Sequence, residues 1–356
     1  MIRRWIGRLR RTARQPRPRS GKRALILLYH RVAEPRSDPW SLAVTPHRFA
    51  EHLEVLRRYA RPIRLRELSQ LLLDGTNLPD RSVVITFDDG YADNLHNAKP
   101  LLERYNVPAT FFLASGLIGQ EQAFWWDELD RLLLQPGVLP ESLSLSVDGS
   151  TYRWELGEAA YYSEEAFQSH RCWRAWEEAP SSRHSLYYSL WELLRPITEG
   201  QRRRVLRELR ELAGAEPADR TSQRPLSLEE AVTLAQGELV DVGAHTVTHP
   251  PLSALPLASQ RDEIVGSKAQ LEELLDHPVA GFSYPHGSLS LETASMVREA
   301  GFACACATRG GLVKRSTDPF RLPRKNIEDL DGDKLARQLS EWFDGRPKRG
   351  GSITSE

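Results

Sequence analysis

The stretch Val83-Val84-Ile85-Thr86-Phe87-Asp88-Asp89-Gly90 constrains this chain more than any other. Four β-prone residues, Val83 to Thr86, follow the turn-like Leu78-Pro79-Asp80 and run into two adjacent carboxylates and a glycine. The pattern predicts a buried strand that delivers acids to its C-terminal end. Where strands and helices alternate, that end carries chemistry, because helices cover the flanks and the loops after the strands stay open. Successive residues at a strand end point in different directions, so Asp88 and Asp89 are free to divide the work, one on a metal and one on a proton. A helix N-cap would account for one aspartate and not for two.

The alternation recurs on both sides. Ala24 to Tyr29 is an apolar run of strand length that stops at His30. Thr45-Pro46 then opens a helix, with threonine as cap, proline in the first turn, and Phe49, Leu53 and Leu56 on one face. Residues 64–73 and 95–105 read as further helices, and residues 110–113 as a strand. Beyond the middle of the chain, strands are expected at 239–243, 280–283 and 302–305, with a long helix around Ile264, Leu271 and Leu275. The fold class is therefore α/β, a parallel sheet or barrel. Residues 120–236 break the pattern: they hold six of the nine tryptophans and charged helical stretches at 182–194 and 201–213. They are expected to form an inserted, mostly helical cap between a first barrel part, 24–119, and a second, 237–345. The remaining pieces, 1–23 and 346–356, are tails.

Among 356 residues, 40% are hydrophobic, enough to bury a core, and 48 basic residues balance 48 acidic ones. That balance argues against a nucleic-acid partner. The imbalance is local: residues 1–23 hold ten Arg or Lys and no acid. Their apolar residues, Ile2, Trp5, Ile6 and Leu9, are too scattered for the core of a secretory signal. The segment reads either as an amphipathic helix on an anionic membrane surface or as a basic tail. With no transmembrane run visible, the expected location is cytoplasmic, with peripheral association at the inner membrane face open to the tail. Cys172, Cys304 and Cys306 are too few for a disulfide framework and are expected to be small buried hydrophobes in a reducing compartment.

After the 239–243 strand comes His245-Thr246-Val247-Thr248-His249. Two histidines four apart converge on one ion if the segment turns helically, yet alone they fit packed or solvated residues equally well. Joined to a carboxylate from the Asp88-Asp89 strand end, they make a three-ligand set with an open position, the pattern of a hydrolytic metal centre. A third strand end offers Phe282-Ser283-Tyr284-Pro285-His286-Gly287, either a turn whose N–H groups face a ligand or an ordinary Pro/Gly loop.

In that order, Thr86-Phe87-Asp88-Asp89-Gly90, His245-Thr246-Val247-Thr248-His249 and Phe282-Ser283-Tyr284-Pro285-His286-Gly287 resemble three motifs of the polysaccharide deacetylase (NodB homology) family, carbohydrate esterase family 4. The resemblance covers about residues 24–326 apart from the cap. It implies a distorted (β/α) barrel that removes N-acetyl groups from an N-acetylated glycan with a divalent metal, often zinc. By the same resemblance Asp88 is the general base, Asp89, His245 and His249 are the metal ligands, and the backbone N–H of His286 stabilises the oxyanion. Two departures matter: His286 stands where the family usually has tyrosine, and no histidine follows to serve as the usual late acid. Tyr29-His30-Arg31 resembles a branch that includes deacetylases of exopolysaccharide and poly-N-acetylglucosamine, in which the acid comes from the N-terminal strand. His30 is thus the expected acid and His286 its competitor. Arg324 either orients Asp88 or lies on the surface. Trp125 and Trp126, the first cap tryptophans after a barrel strand, are expected at the active-site rim. Hydrolysis of a non-sugar amide or imide, and glycan binding without turnover, stay open as alternatives; so do the glycan itself and the oligomeric state.

Overall fold

The computed structural model describes residues 22–216 and 223–344. The basic segment up to residue 21 and the C-terminal tail, with the expectation of a membrane-surface helix, lie outside the described residues.

Eight strands form one sheet, all paired in parallel: β1 (Ala24–Tyr29), β2 (Arg61–Pro62), β3 (Ser82–Phe87), β4 (Ala109–Leu113), β5 (Val240–Ala244), β6 (Gly281–Ser283), β7 (Cys304–Cys306) and β8 (Lys325–Asn326). Their order is β7-β6-β5-β4-β3-β1-β8, with β2 beside β3. The sheet curls into a half-barrel rather than closing by a full ladder. Between its first and last members in this order, one bridge, Cys306 to Leu322, spans the gap just ahead of β8.

Every residue of β1, β3 and β4 is buried, as expected where parallel strands are covered on both faces. The period of two divides them between two cores. Leu25, Leu27, Ile85, Phe87, Phe111 and Leu113 pack under the helices, whereas Ile26, Val84, Phe112, Cys304 and Cys306 line the inner face. Each such side chain contributes roughly 1.5–3 kcal/mol on burial. Cys172, in contrast to the expectation for all three cysteines, is exposed, because it lies in a loop after the short helix Glu164–His170.

The predicted helices are present. Pro46–Tyr59 starts at Thr45, whose hydroxyl accepts from the Arg48 N–H at 3.3 Å. It buries Phe49, His52, Leu53 and Leu56 and ends where Ala60 turns extended. Leu65–Leu73 follows Arg64. The 95–105 helix begins with a wider turn, Asn94–Ala98, before Lys99–Tyr105.

Between β4 and β5 the helices Trp125–Leu133, Ser182–Leu194 and Glu199–Leu212 gather a second core that includes Trp125, Trp126, Leu129, Leu186, Leu190 and Leu209. Tyr91, Ala114 and Leu117 join it from the barrel side. This region also carries a hairpin, Ser142–Val147 with Ser150–Glu155, that the helical reading overlooks. Its signals are the alternation Ser-Leu-Ser-Leu-Ser-Val and the turn Asp148-Gly149, both residues at positive φ (48° and 79°) as a type I′ turn requires. The helix Leu228–Ala235 packs Ala231 and Leu234 into the barrel core. No helix among the described residues is long and apolar enough to cross a membrane.

The inner face tolerates no extra atom at Gly243, where a Cβ would lie 2.4 Å from Phe112 Cδ1 and 2.9 Å from the Gly281 carbonyl. Gly243→Ala is expected to cost at least ~1–3 kcal/mol through overpacking, measured by urea unfolding. An unchanged midpoint would mean that β4 and β5 pack more loosely than described.

Candidate metal centre and active site

All strand C-termini face one end, and the residues singled out above converge there. Phe87 ends β3, so Asp88 follows on the inner face with Thr86 and Val84. Asp89 reverses direction through a positive φ of 75°, and Gly90, at φ 86°, completes the turn. A Cβ on Gly90 would lie 2.9 Å from Leu113 Cδ2, so only glycine fits. The two acids therefore part.

Asp88 is 2% exposed and faces Arg324, which is fully buried. The contact is a two-pronged fork: Arg324 Nη1 donates to Oδ1 at 2.7 Å and Nη2 to Oδ2 at 2.6 Å. The other Arg324 donors go to Ala307 O, Thr86 Oγ1 and Ser283 Oγ, and Ser283 Oγ donates to Asp88 Oδ2 at 3.1 Å. Burial by itself would raise the Asp88 pKa, but Arg324 and His245 outweigh it and hold the carboxyl below its ordinary range.

Asp89 faces His245 and His249. Its Oδ1 lies 3.6 Å from His245 Nε2 and 3.3 Å from His249 Nε2. One ligand atom from each of the three comes within 4.8 Å of the others, and all three residues are buried. The His-x-x-x-His segment is not helical, contrary to the condition under which spacing predicts convergence. It is a loop in which Thr246 (φ 65°) and His249 (φ 59°) adopt left-handed backbone. Glu263 pins this loop by accepting from Val247 N at 2.7 Å, Thr248 N at 2.8 Å and Thr248 Oγ1 at 2.6 Å. His245 Nδ1 contacts the Ser283 carbonyl at 2.8 Å. A carbonyl only accepts, so Nδ1 carries a proton and Nε2 is the ring atom turned toward Asp89. His249 Nδ1 is buried without a partner. Burial opposes ionisation of Asp89, yet hydrogen bonds from both histidines hold its pKa well below the carboxylate norm.

His30 follows β1 directly, its carbonyl accepting from Asn94 Nδ2 at 2.8 Å, and its Nδ1 is buried without a partner. The Asp88 N–H donates to the Tyr29 carbonyl at 3.0 Å, so the backbone of His30 runs beside that of Asp88 at the strand ends. His286, at φ 55°, lies with its ring 4.7 Å from His249 and 6.0 Å from Trp191. Burial first, then His249, holds its pKa well below the imidazole norm.

Trp126 packs 5.0 Å from the His249 ring, and both it and Trp125 are buried. Trp126 Nε1 donates to Tyr91 Oη at 2.7 Å, and Tyr91 donates to Asp127 Oδ2 at 2.8 Å. Burial pushes Asp127 up to about 7 even though Arg31 opposes it. A cavity of about 1330 Å³ is lined in part by Arg31, Asp93, Trp125 and Asp127; Asp89, His245 and His249 do not border it.

Three residues that support the site, Ser283, Glu263 and Trp191, are not marked out by the sequence. Ser283 lies inside the Phe282–Gly287 motif with no chemistry that singles it out. Glu263 lies on helix Leu257–Leu275 with nothing local to mark it, and Trp191 was one of six similar tryptophans.

A family model described as polysaccharide deacetylase matches residues 75–142 and 218–305. A Staphylococcus epidermidis poly-β-1,6-N-acetyl-D-glucosamine N-deacetylase is 36% identical over 109 residues, 27% of this chain and 37% of that protein. The Escherichia coli (strain K12) protein of the same name is 29% identical over 100 residues, 28% and 15%. YxkH of Bacillus subtilis, provisionally named a polysaccharide deacetylase, is 30% identical over 139 residues, 38% and 48%. The matched stretches thus span under half the length of these relatives. Among solved structures, IcaB from Ammonifex degensii superposes with TM-score 0.56 at 18% identity, over 90% of this chain and 97% of that one. The deacetylase PplD of Streptococcus pyogenes gives 0.52 at 16%, over 90% and 99%. At these identities the likeness establishes the fold.

The Asp88–Arg324 fork generates a pH prediction. Asp88 has a lowered native pKa, so its stabilising contribution is complete above the ordinary carboxylate value of ~4 and is lost as pH falls through the native value. Asp88→Asn should be about 3–5 kcal/mol less stable at pH 7, because Arg324 is left buried without a counter-charge. In urea unfolding from pH 6 to pH 2 the gap to wild type should narrow below ~4. A gap independent of pH would show that Asp88 is not ionised in the native protein.

Proposed function

We propose that this chain, matched by the polysaccharide deacetylase family model at residues 75–142 and 218–305, hydrolyses N-acetyl groups on a glycan of the poly-N-acetylglucosamine type. The observation that carries this reading is the pairing of a buried, ionised Asp88 with an Asp89-His245-His249 cluster at the open strand ends.

The three residues suit a divalent metal of the zinc type: two imidazole nitrogens and one carboxylate, close together, with the His245 tautomer fixed by Ser283. When bound, such an ion polarises the acetyl carbonyl and makes a nearby water a better nucleophile. Asp88 then takes the proton of the water as its oxygen bonds to the carbonyl carbon. Arg324 keeps that carboxylate ionised and its orientation fixed. As the carbon–nitrogen bond breaks, a histidine gives the departing amine its proton, leaving acetate and a free amino sugar. His30 is our acid: it follows β1, the neighbour of the strand that leads into both aspartates, whereas the His286 ring is held between His249 and Trp191.

Acetate release from N-acetylglucosamine oligomers, after chelation and after zinc is restored, tests the reading; no release under either condition would overturn it. Asp89→Ala, His245→Ala and His249→Ala should each lose most bound metal by elemental analysis, and full occupancy in all three would end the site. His30→Ala should retain metal yet lose roughly 10²–10⁴ in kcat, with His286→Ala costing less. The reverse ranking would move the acid to His286.

A further inference from the structure

A run of aromatic rings leads away from His286. Trp191, on helix Ser182–Leu194, meets the His286 ring edge-on, with centroids 6.0 Å apart and planes at 90°. Trp40, from the loop after β1, lies 4.1 Å from Trp191 and in turn stacks on Tyr188 at 6.3 Å with planes at 29°. Tyr188 and Trp191 are three residues apart on one helix and so share a face. The set is more exposed than the three tryptophans that fill the core of this region. Trp125, Trp126 and Trp173 are at most 9% exposed, whereas Tyr188 is 41% exposed and Trp40 and Trp191 are only partly buried.

The rings are held before any ligand arrives. Trp40 Nε1 donates to Tyr187 Oη at 2.8 Å, and the Arg195 guanidinium lies 4.8 Å from the Trp191 ring centre. Pre-set flat rings bind with little loss of side-chain freedom. A sugar ring presents C–H groups on its faces and hydroxyls around its edge, the complement of an aromatic surface whose neighbours are polar.

We infer that Trp191, Trp40 and Tyr188 form a stacking platform for the sugars flanking the one that is deacetylated, so that the protein prefers glycan chains to short pieces. The occupant is the continuation of the substrate itself, because the run begins at the proposed active site. The inference rests on the deacetylase reading.

The test compares a dimer and a hexamer of N-acetylglucosamine. Wild type should favour the hexamer in kcat/KM. Tyr188→Ala should lower hexamer kcat/KM by about threefold to tenfold, through KM, with a smaller loss on the dimer, and Tyr188→Phe should restore it. A wild type indifferent to length, or equal losses on dimer and hexamer, would overturn the platform, since a packing defect strikes both substrates alike. If wild type releases acetate from neither, the deacetylase reading fails and tryptophan fluorescence titrated with the same hexamer decides the platform separately. Saturable quenching weakened by Tyr188→Ala would sustain it, and no saturation would remove it.

Discussion

A carboxylate with 2% of its surface in contact with solvent is tolerable inside a protein only if a fixed positive charge answers it. The Asp88–Arg324 fork supplies that answer, and much of the half-barrel is arranged by it. The donors of Arg324 reach β3 at Thr86, the end of β6 at Ser283 and the residue after β7, Ala307, while its own backbone leads into β8. Of these, β7 and β8 are the strands on either side of the gap in the ladder. Where backbone pairing thins to the Cys306–Leu322 bridge, a side chain takes over the joining. The same contact that holds the candidate base ionised also closes the sheet around it.

Around that contact the backbone is bent out of its comfortable regions. Asp89, Thr246, His249 and His286 all have positive φ without being glycine, a conformation that costs on the order of 1–3 kcal/mol for each residue. Such strain persists only where neighbours hold it. Glu263 does so for the histidine loop through three hydrogen bonds, and Arg202 of the inserted region adds a long contact to the Thr248 carbonyl at 3.5 Å. The insertion thus braces the loop from outside while helix Leu257–Leu275 holds it from beneath.

Most of the sheet was legible because parallel strands buried on both faces appear as unbroken apolar runs: Ala24–Tyr29, Val83 to Phe87 and Thr110 to Leu113 could hardly be anything else. The half-barrel's incompleteness was not legible, since pairing between distant strand ends leaves no trace in local composition. Within the insertion, charge periodicity revealed the two long helices, but tryptophan richness drew attention from the alternating Ser142–Val147 strand. For the candidate site, the motif-bearing residues were readable from type and order. Their distinct jobs depend on which way Asp88 and Asp89 point, and that is decided by the 75° φ of Asp89. Arg324, left between interior and surface by sequence, is settled by contact with a partner 236 positions away.

That separation has a consequence for how the protein comes into being. Asp88 emerges from synthesis early, and its counter-ion is among the last residues of the sheet to appear. Until β8 docks beside β1, a native-like β3 would bring an uncompensated charge toward the inner face, so the partly made sheet is penalised for closing prematurely. Loop closure over so long a chain is slow relative to local helix and hairpin formation. The inserted region, with its own core, has the local contacts to organise first, and the half-barrel is completed only when its two ends meet across the buried ion pair.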